Sequence, residues 1–238
     1  MMENIKGIIF DYGGTLDTNS RHWSEVLWDA YLEEKVPVTK DQFRECYVHA
    51  ERELARVPYI KPEHNFLDLL RIKADIETQY LIDKGYWQTR DVTRRAVMEH
   101  IAFRCYQKVI SQMEVSRPVV EGLAKRFPLV LVSNFYGNIH TILDDFRLNY
   151  FDEVIESSVV GIRKPDPRIF SLGVEAMGMK PEEIVVVGDS FSKDIIPANS
   201  IGCKTVWMKG QGWGNEEIDE SVPTAILTDI ALLPILFE

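Results

Sequence analysis

The sequence predicts an α/β fold: a Rossmann-like, doubly wound parallel sheet, interrupted after its first strand by an inserted helical bundle. Three observations point there. Short apolar runs, Ile8-Ile9-Phe10, Leu129-Val130-Leu131-Val132 and Ile184-Val185-Val186-Val187, have the length and β-branching of strands buried on both faces. From Pro118 onward such runs alternate with amphipathic segments, the rhythm of a parallel sheet. Between Asn19 and about Met113 only helical periodicity is found. The economical reading is a discontinuous core, residues 1–17 and 115–238, with residues 18–114 inserted as a helical cap. A chain of 238 residues suits one large domain carrying an insertion.

The elements follow in order. Gly7 precedes the first strand and Gly13-Gly14 ends it. Trp23, Val26, Leu27, Ala30 and Tyr31 recur at helical spacing, with Ser20 as a candidate cap and Pro37 as the stop. Thr39 opens a second helix, with Phe43, Cys46, Tyr47 and Ala50 on its apolar face. Pro58 and Pro62 break the pattern, because each disfavours helix at the residue before it. A third helix is expected over Glu63–Lys84, closed by Gly85, and a fourth over Asp91 to about Ser111. Four helices with short loops suggest a small bundle. Val119–Phe127 reads as a separate short helix leading into the second strand. Phe151–Ile155 is a third strand, Ile184–Val187 a fourth and Lys204–Trp207 a fifth, with helices between them. The acidic loop Glu216-Glu217-Ile218-Asp219-Glu220 precedes a short closing strand and helix.

Composition narrows the function. The hydrophobic fraction of 45% suits a buried globular core. A formal net charge of −10 repels phosphate backbones and argues against nucleic acid as a partner. No signal-peptide core precedes the first strand, and no apolar run is long enough to span a membrane. Cys46, Cys105 and Cys203 are scattered, odd in number and without zinc spacing, as expected of reduced thiols in a cytoplasmic protein.

The chemistry gathers at the strand ends. Asp11 ends the first strand, Ser133-Asn134 the second, Lys164 follows the third, and Asp189 and Asp194 follow the fourth. Singly, each has a structural explanation, as an Asx turn, a turn serine, a surface lysine or a helix cap. Jointly they are a stronger signal, because a parallel sheet brings these ends to one edge, where ligands bind. Converging carboxylates repel one another unless a divalent cation binds them, and magnesium prefers oxygen ligands. A cation also reverses the repulsion this acidic chain offers to a phosphate. Lys164, the Ser133 hydroxyl, the Asn134 amide, Thr15 and the Gly13-Gly14 amides could hold a phosphoryl group. The set fits attack of a carboxylate on phosphorus, followed by hydrolysis of the acyl phosphate.

With these residues in view, the chain resembles the haloacid dehalogenase superfamily of hydrolases. The family's motifs match at Asp11-Tyr12-Gly13-Gly14-Thr15-Leu16, Val132-Ser133-Asn134, Lys164-Pro165 and Val187-Gly188-Asp189-Ser190 through Asp194. The inserted bundle is similar to that superfamily's C1-type helical cap. The resemblance implies Asp11 as nucleophile and magnesium ligand, with Asp189 and the Gly13 carbonyl completing the protein ligands. It implies Ser133 and Lys164 as holders of the phosphoryl group, and Asp194 as support for the metal or for Lys164. The implied activity is a magnesium-dependent phosphatase acting on a small phosphorylated metabolite, of undetermined oligomeric state.

The sequence departs from the family at Gly13. Family phosphatases usually carry there a second aspartate, which protonates the leaving group, and such acid–base catalysis is worth about 10²–10⁴ in rate. Three alternatives therefore stand beside the phosphatase: a phosphonatase-like hydrolase, a dehalogenase-like one, and a weakened core kept for binding or regulation. The phosphonatase branch uses a cap lysine, and none of Lys35, Lys40, Lys61, Lys73 and Lys84 sits in a pattern matching that role. Asp17 and His22 are candidate replacement acids, each also explicable as a turn cap or a helix-surface residue. Tyr59, Lys61 and His64, in the proline-bounded loop, are candidate substrate contacts, or simply an exposed loop.

Overall fold

The computed structural model describes residues 2, 4–212 and 218–238. Glu216 and Glu217 of the acidic loop expected from sequence lie outside the described residues.

Six parallel strands form one sheet: β1 (Gly7–Phe10), β2 (Leu129–Ser133), β3 (Glu153–Glu156), β4 (Ile184–Gly188), β5 (Lys204–Met208) and β6 (Ala225–Leu227), in the order β3-β2-β1-β4-β5-β6. The apolar runs divide with a period of two. Ile8, Phe10, Leu129, Leu131, Val185 and Val187 join one buried cluster, which extends into the helical block. Ile9, Val130, Val132, Ile184 and Val186 join a second on the opposite face, against Ile169, Phe170 and Ala198. Both residue sets need cover, which is why the sheet is wound on both sides. The first strand is central, between β2 and β4, although its sequence neighbours are helices.

Four helices follow β1: α1 (Trp23–Glu33), α2 (Lys40–Arg56), α3 (Phe66–Asp83) and α4 (Asp91–Ala124). Helix α3 packs against both α2 and α4, and α1 also touches both. Thr39 with Gln42, and Asn65 with Asp68, form capping boxes that fix two of the starts. Ser20 does not cap α1. It adopts a positive φ of 69°, and His22 is the cap, its Nδ1 accepting from the Ser24 amide at 3.2 Å. The remaining α-helices are α5 (Ile139–Asp145), α6 (Ser157–Val160), α7 (Arg168–Met177) and α8 (Ile196–Ser200), the last preceded by a π-helical turn, Phe191–Ile195, and 3-10 helices cover Pro181–Glu183 and Ile230–Phe237.

Helix α4 corrects the sequence reading. It is one helix of 34 residues where two were expected, and it crosses the expected boundary at 114/115. Pro118 cannot donate a backbone hydrogen bond, and an interior proline typically costs about 3 kcal/mol. Yet Ile101, Cys105, Val109, Met113, Ser116, Val120 and Leu123 are buried at intervals of three or four residues straight through it. That continuous stripe keeps the helix in phase against its neighbours and outweighs the lost bond.

Ser116 marks the point where α4 meets the first loop: its buried hydroxyl donates to the Leu16 carbonyl at 2.7 Å. Ser116→Ala would leave that buried carbonyl without this donor, a loss worth about 1–3 kcal/mol. The expected outcome is a lower urea midpoint with an unchanged m-value.

Candidate active site

Register assembles the site. Phe10 pairs with Leu131 and with Val187, so Asp11, Ser133 and Asp189 emerge within about one residue step of one another on three adjacent strands. Asp11 follows β1 directly, and its amide donates to the Val187 carbonyl at 2.9 Å. Lys164 reaches in from the segment after β3. Its backbone is clamped by Asn134, which accepts from the Lys164 amide at 2.9 Å and donates to the Lys164 carbonyl at 3.1 Å. The Lys164 ammonium then donates to Asp11 at 2.5 Å and to Asp194 at 2.7 Å. All three residues are buried. Asp194 is steadied in turn by the Ser190 amide at 3.0 Å.

The charges explain the titration of the group. Burial pushes Asp11 up to about 6, against the pull of Lys164. Burial also works to lower Lys164, but Asp11 and Asp194 outweigh it and hold the ammonium protonated. Asp189 is raised by burial and then by the negative charges of Asp11 and Asp194. Carboxylate oxygens of Asp11, Asp189 and Asp194 lie within 4.8 Å of one another. One lysine does not neutralise three carboxylates, so the cluster has an all-oxygen donor set and an excess of negative charge, both of which suit a hard divalent cation.

Thr15 donates from its hydroxyl to Asp11 at 3.2 Å and to Asp189 at 3.4 Å. The hydroxyl, with its one proton, thus faces the two carboxylates. Gly14 also differs from expectation. Its amide, expected to face a phosphate, donates instead to Asp17 at 2.7 Å. Glycine is needed at that position, because φ is +96° and a Cβ would stand 2.5 Å from the Asp189 carboxyl carbon. Gly13 has no positive φ, and a Cβ there would meet nothing within 4 Å.

A cavity of about 160 Å³ opens over this edge, lined by Asp11, Gly13, Ser133, Asn134, Lys164, Asp189 and Asp194. The opposite wall comes from the helices, including His22, Trp23, Tyr47, Glu51, Phe66 and Lys73. Tyr59, Lys61 and His64 are not in the lining. Their loop rests on the start of α5, where Asn138 donates to the His64 carbonyl at 2.9 Å and Thr141 to that of Pro62 at 2.6 Å. Glu51 escapes the sequence reading, and Lys73 enters it only as one of five cap lysines, with no place in the site. The signal was present: Lys73 and Glu77 fall in phase with Phe66, Leu69, Leu70 and Ala74 on the apolar face of α3, where charge needs a reason.

Both candidate replacement acids line the cavity, with opposite tendencies. His22 is pushed down to about 4 by burial and by Lys193 and Lys73, so it is uncharged at neutral pH. Asp17 is pushed up by burial to about 7, against its bonds from the Gly14 amide and from Trp23 Nε1, the latter at 2.9 Å. A carboxyl raised on folding binds more protons in the native than in the unfolded state between about pH 4 and 7. Its contribution to stability therefore falls as pH rises through that window. Asp17→Asn removes this titration. The stability of the variant relative to wild type is expected to rise from pH 4.5 to pH 7, measured by paired urea denaturation curves.

Comparison with known proteins agrees with the geometry. The chain is 45% identical over 67 residues to a glyceraldehyde 3-phosphate phosphatase of Pyrococcus furiosus, covering 28% of this chain and 26% of that one. It is 43% identical over 60 residues to a phosphoserine phosphatase of Thermus thermophilus, covering 25% and 24%. It is 33% identical over 128 residues to the mouse haloacid dehalogenase-like hydrolase domain-containing protein 3, covering 52% and 51%. The matches thus span from a quarter to half the length of these relatives. Across nearly the whole chain, the fold is similar to a dehalogenase solved as an intermediate complex (TM-score 0.65, 17% identity, 99% and 98% covered). It is also similar to a phosphatase of the family from Thermococcus onnurineus (TM-score 0.52, 23% identity, 98% of each covered). The family profile of haloacid dehalogenase-like hydrolases matches residues 5–202, which include Asp11, Ser133, Lys164, Asp189 and Asp194, and the chain belongs to that family of hydrolases.

Proposed function

We propose that the protein is a magnesium-dependent phosphatase acting on a small phosphorylated metabolite through an aspartyl-phosphate intermediate. The observation that carries this reading is the buried Lys164 ammonium held between Asp11 and Asp194, beside Asp189, on the floor of a small cavity. The phosphatase names of the two partial relatives support it. The division of labour is a core, expected at residues 1–17 and 115–238, that performs the chemistry and a helical cap, expected at 18–114, that closes over it, with α4 running from one into the other. The absence, among the described residues, of any helix long and apolar enough to cross a membrane, and three buried, unbridged cysteines, fit a cytoplasmic enzyme.

In this mechanism Lys164 keeps Asp11 ionised and, with the Ser133 hydroxyl and the Asn134 amide, holds the phosphoryl oxygens. An Asp11 oxygen attacks phosphorus, the bond to the leaving oxygen breaks, and an acyl phosphate forms. Water then cleaves it, releasing phosphate and restoring Asp11. Asp11, Asp189 and the Gly13 carbonyl would hold Mg²⁺, which supplies positive charge to the phosphoryl oxygens. Of the two groups that could protonate the leaving alcohol, Asp17 retains a proton in part at neutral pH and His22 does not.

Asp11→Asn is expected to abolish magnesium-dependent hydrolysis of an aryl phosphate, assayed by release of the chromophore. Turnover at the wild-type rate in pure protein would exclude Asp11 as the nucleophile.

Gly13 offers a second test. The open space at its Cβ and the absence of a positive φ mean that aspartate fits there without backbone strain. Gly13→Asp should raise turnover of alkyl phosphates, whose leaving oxygen needs a proton, more than that of aryl phosphates. A gain of up to about tenfold is expected, below the full range for general acid catalysis because Asp17 already serves in part. An unchanged alkyl rate in a folded variant would mean that proton delivery is not limiting.

A further inference from the structure

The cavity has two electrical ends. The floor is acidic, with Asp11, Asp189 and Asp194 around one lysine. Lys73, Arg163 and Lys193 line the same cavity around Glu51, and a second carboxyl group, Glu77, lies behind Lys73, where burial pushes it up to about 7. Lys73 is buried, pairs with Glu51, and sits 4.3 Å from the centre of the Tyr47 ring. Tyr136 donates its hydroxyl to Glu51 at 3.3 Å. Burial works to raise Glu51, but Lys73, Lys193 and Arg163 together lower it, so all three cations act on the same small volume. Arg163 and Lys193 are exposed at the mouth, and neither forms a salt bridge among the described residues. Three cations against Glu51 and a partly protonated Glu77 leave a modest excess of positive charge in a chain whose net charge is −10.

A lysine buried only to pair with a glutamate would need no further cations beside it. An excess of cations on a cavity wall attracts an anion. The phosphoryl group belongs at the opposite end, against Lys164 and the strand termini. The anion at the helical end is therefore a second group on the same molecule. A carboxylate, with one negative charge, matches this modest excess better than a second phosphate, which carries about 1.5–2 at neutral pH.

We propose that the substrate is a phosphorylated carboxylic acid, and that Lys73, with Arg163 and Lys193 at the mouth, binds its carboxylate. The proposal rests on the phosphatase reading and adds the class of leaving group. Glu51 and the Tyr47 ring hold the Lys73 head in place before the substrate arrives, which limits the side-chain entropy lost on binding. His22, being uncharged, adds no charge at this end.

The test compares two esters of similar size, 3-phosphoglycerate and glycerol 3-phosphate, which differ in whether the leaving group carries a carboxylate. Wild type with magnesium is expected to prefer 3-phosphoglycerate in kcat/KM by about tenfold or more, the worth of one charge-assisted contact. Lys73→Met should collapse that preference, chiefly through KM. The paired surface change Arg163→Gln with Lys193→Gln should erode it in the same direction, and decides the matter if Lys73→Met lowers the melting temperature below assay conditions. Equal turnover of both esters by wild type, or equal losses on both in the variants, would overturn the carboxylate site while leaving the phosphatase reading intact. If neither ester is hydrolysed, the phosphatase reading fails for these substrates, and calorimetric binding of the same pair to wild type takes over. Tighter binding of 3-phosphoglycerate, lost in the variants, would still support the carboxylate site; equal or absent binding would overturn it.

Discussion

The structure depends on one buried ammonium. Lys164 sits between Asp11 and Asp194 with all three side chains nearly excluded from water. Taking such charges out of water costs several kcal/mol each, and only good geometry with satisfied partners recovers it. The surrounding architecture supplies that geometry. The central strand fixes Asp11, the Asn134 side chain clamps the Lys164 backbone from both sides, and the Ser190 amide holds Asp194. Asp189 then adds a negative charge that the lysine cannot balance. An excess of negative charge held in this way suits a cation, and displaced pKa values of this kind cluster at functional sites.

The helical block does more than cover the sheet. Trp23 donates to Asp17 in the first loop, and Glu51 accepts from Tyr136 beyond β2, so its side chains take part in the cavity's polar network. The cavity wall therefore draws on both parts of the chain. In a reading where specificity lies in the block and chemistry at the sheet edge, the two meet in a single small volume.

Gly13 sets this chain apart from the usual family pattern. The space beside it is open and its backbone is unstrained, so neither crowding nor φ explains the glycine. Asp17 stands nearby with a raised pKa, but both of its oxygens already accept hydrogen bonds. That arrangement joins a structural duty, holding the turn through the Gly14 amide, to a proton available near neutrality.

The residues alone determined the sheet, because the apolar runs at Ile8–Phe10, Leu129–Val132 and Ile184–Val187 are too short and too β-branched for helices. They also determined which side chains reach its edge, since parallel strands align their carboxyl ends: Asp11 and Asp189 each follow a strand, Ser133 ends one and Lys164 lies in the segment beyond another. Other features depend on interactions distant in sequence. The unbroken α4 is one, because Pro118 signals a break locally and only the buried stripe on either side overrides it. The Gly14 amide is another, since its choice of Asp17 over a ligand depends on how the turn closes. The displacement of Tyr59, Lys61 and His64 from the cavity, and the arrival of Lys73 and Glu51 in their place, follow from helix orientation, which local periodicity does not encode. Strand ends are legible because the sheet imposes one geometry on all of them; the opposing wall is not, because the packing of helices over the sheet is set by the whole core at once.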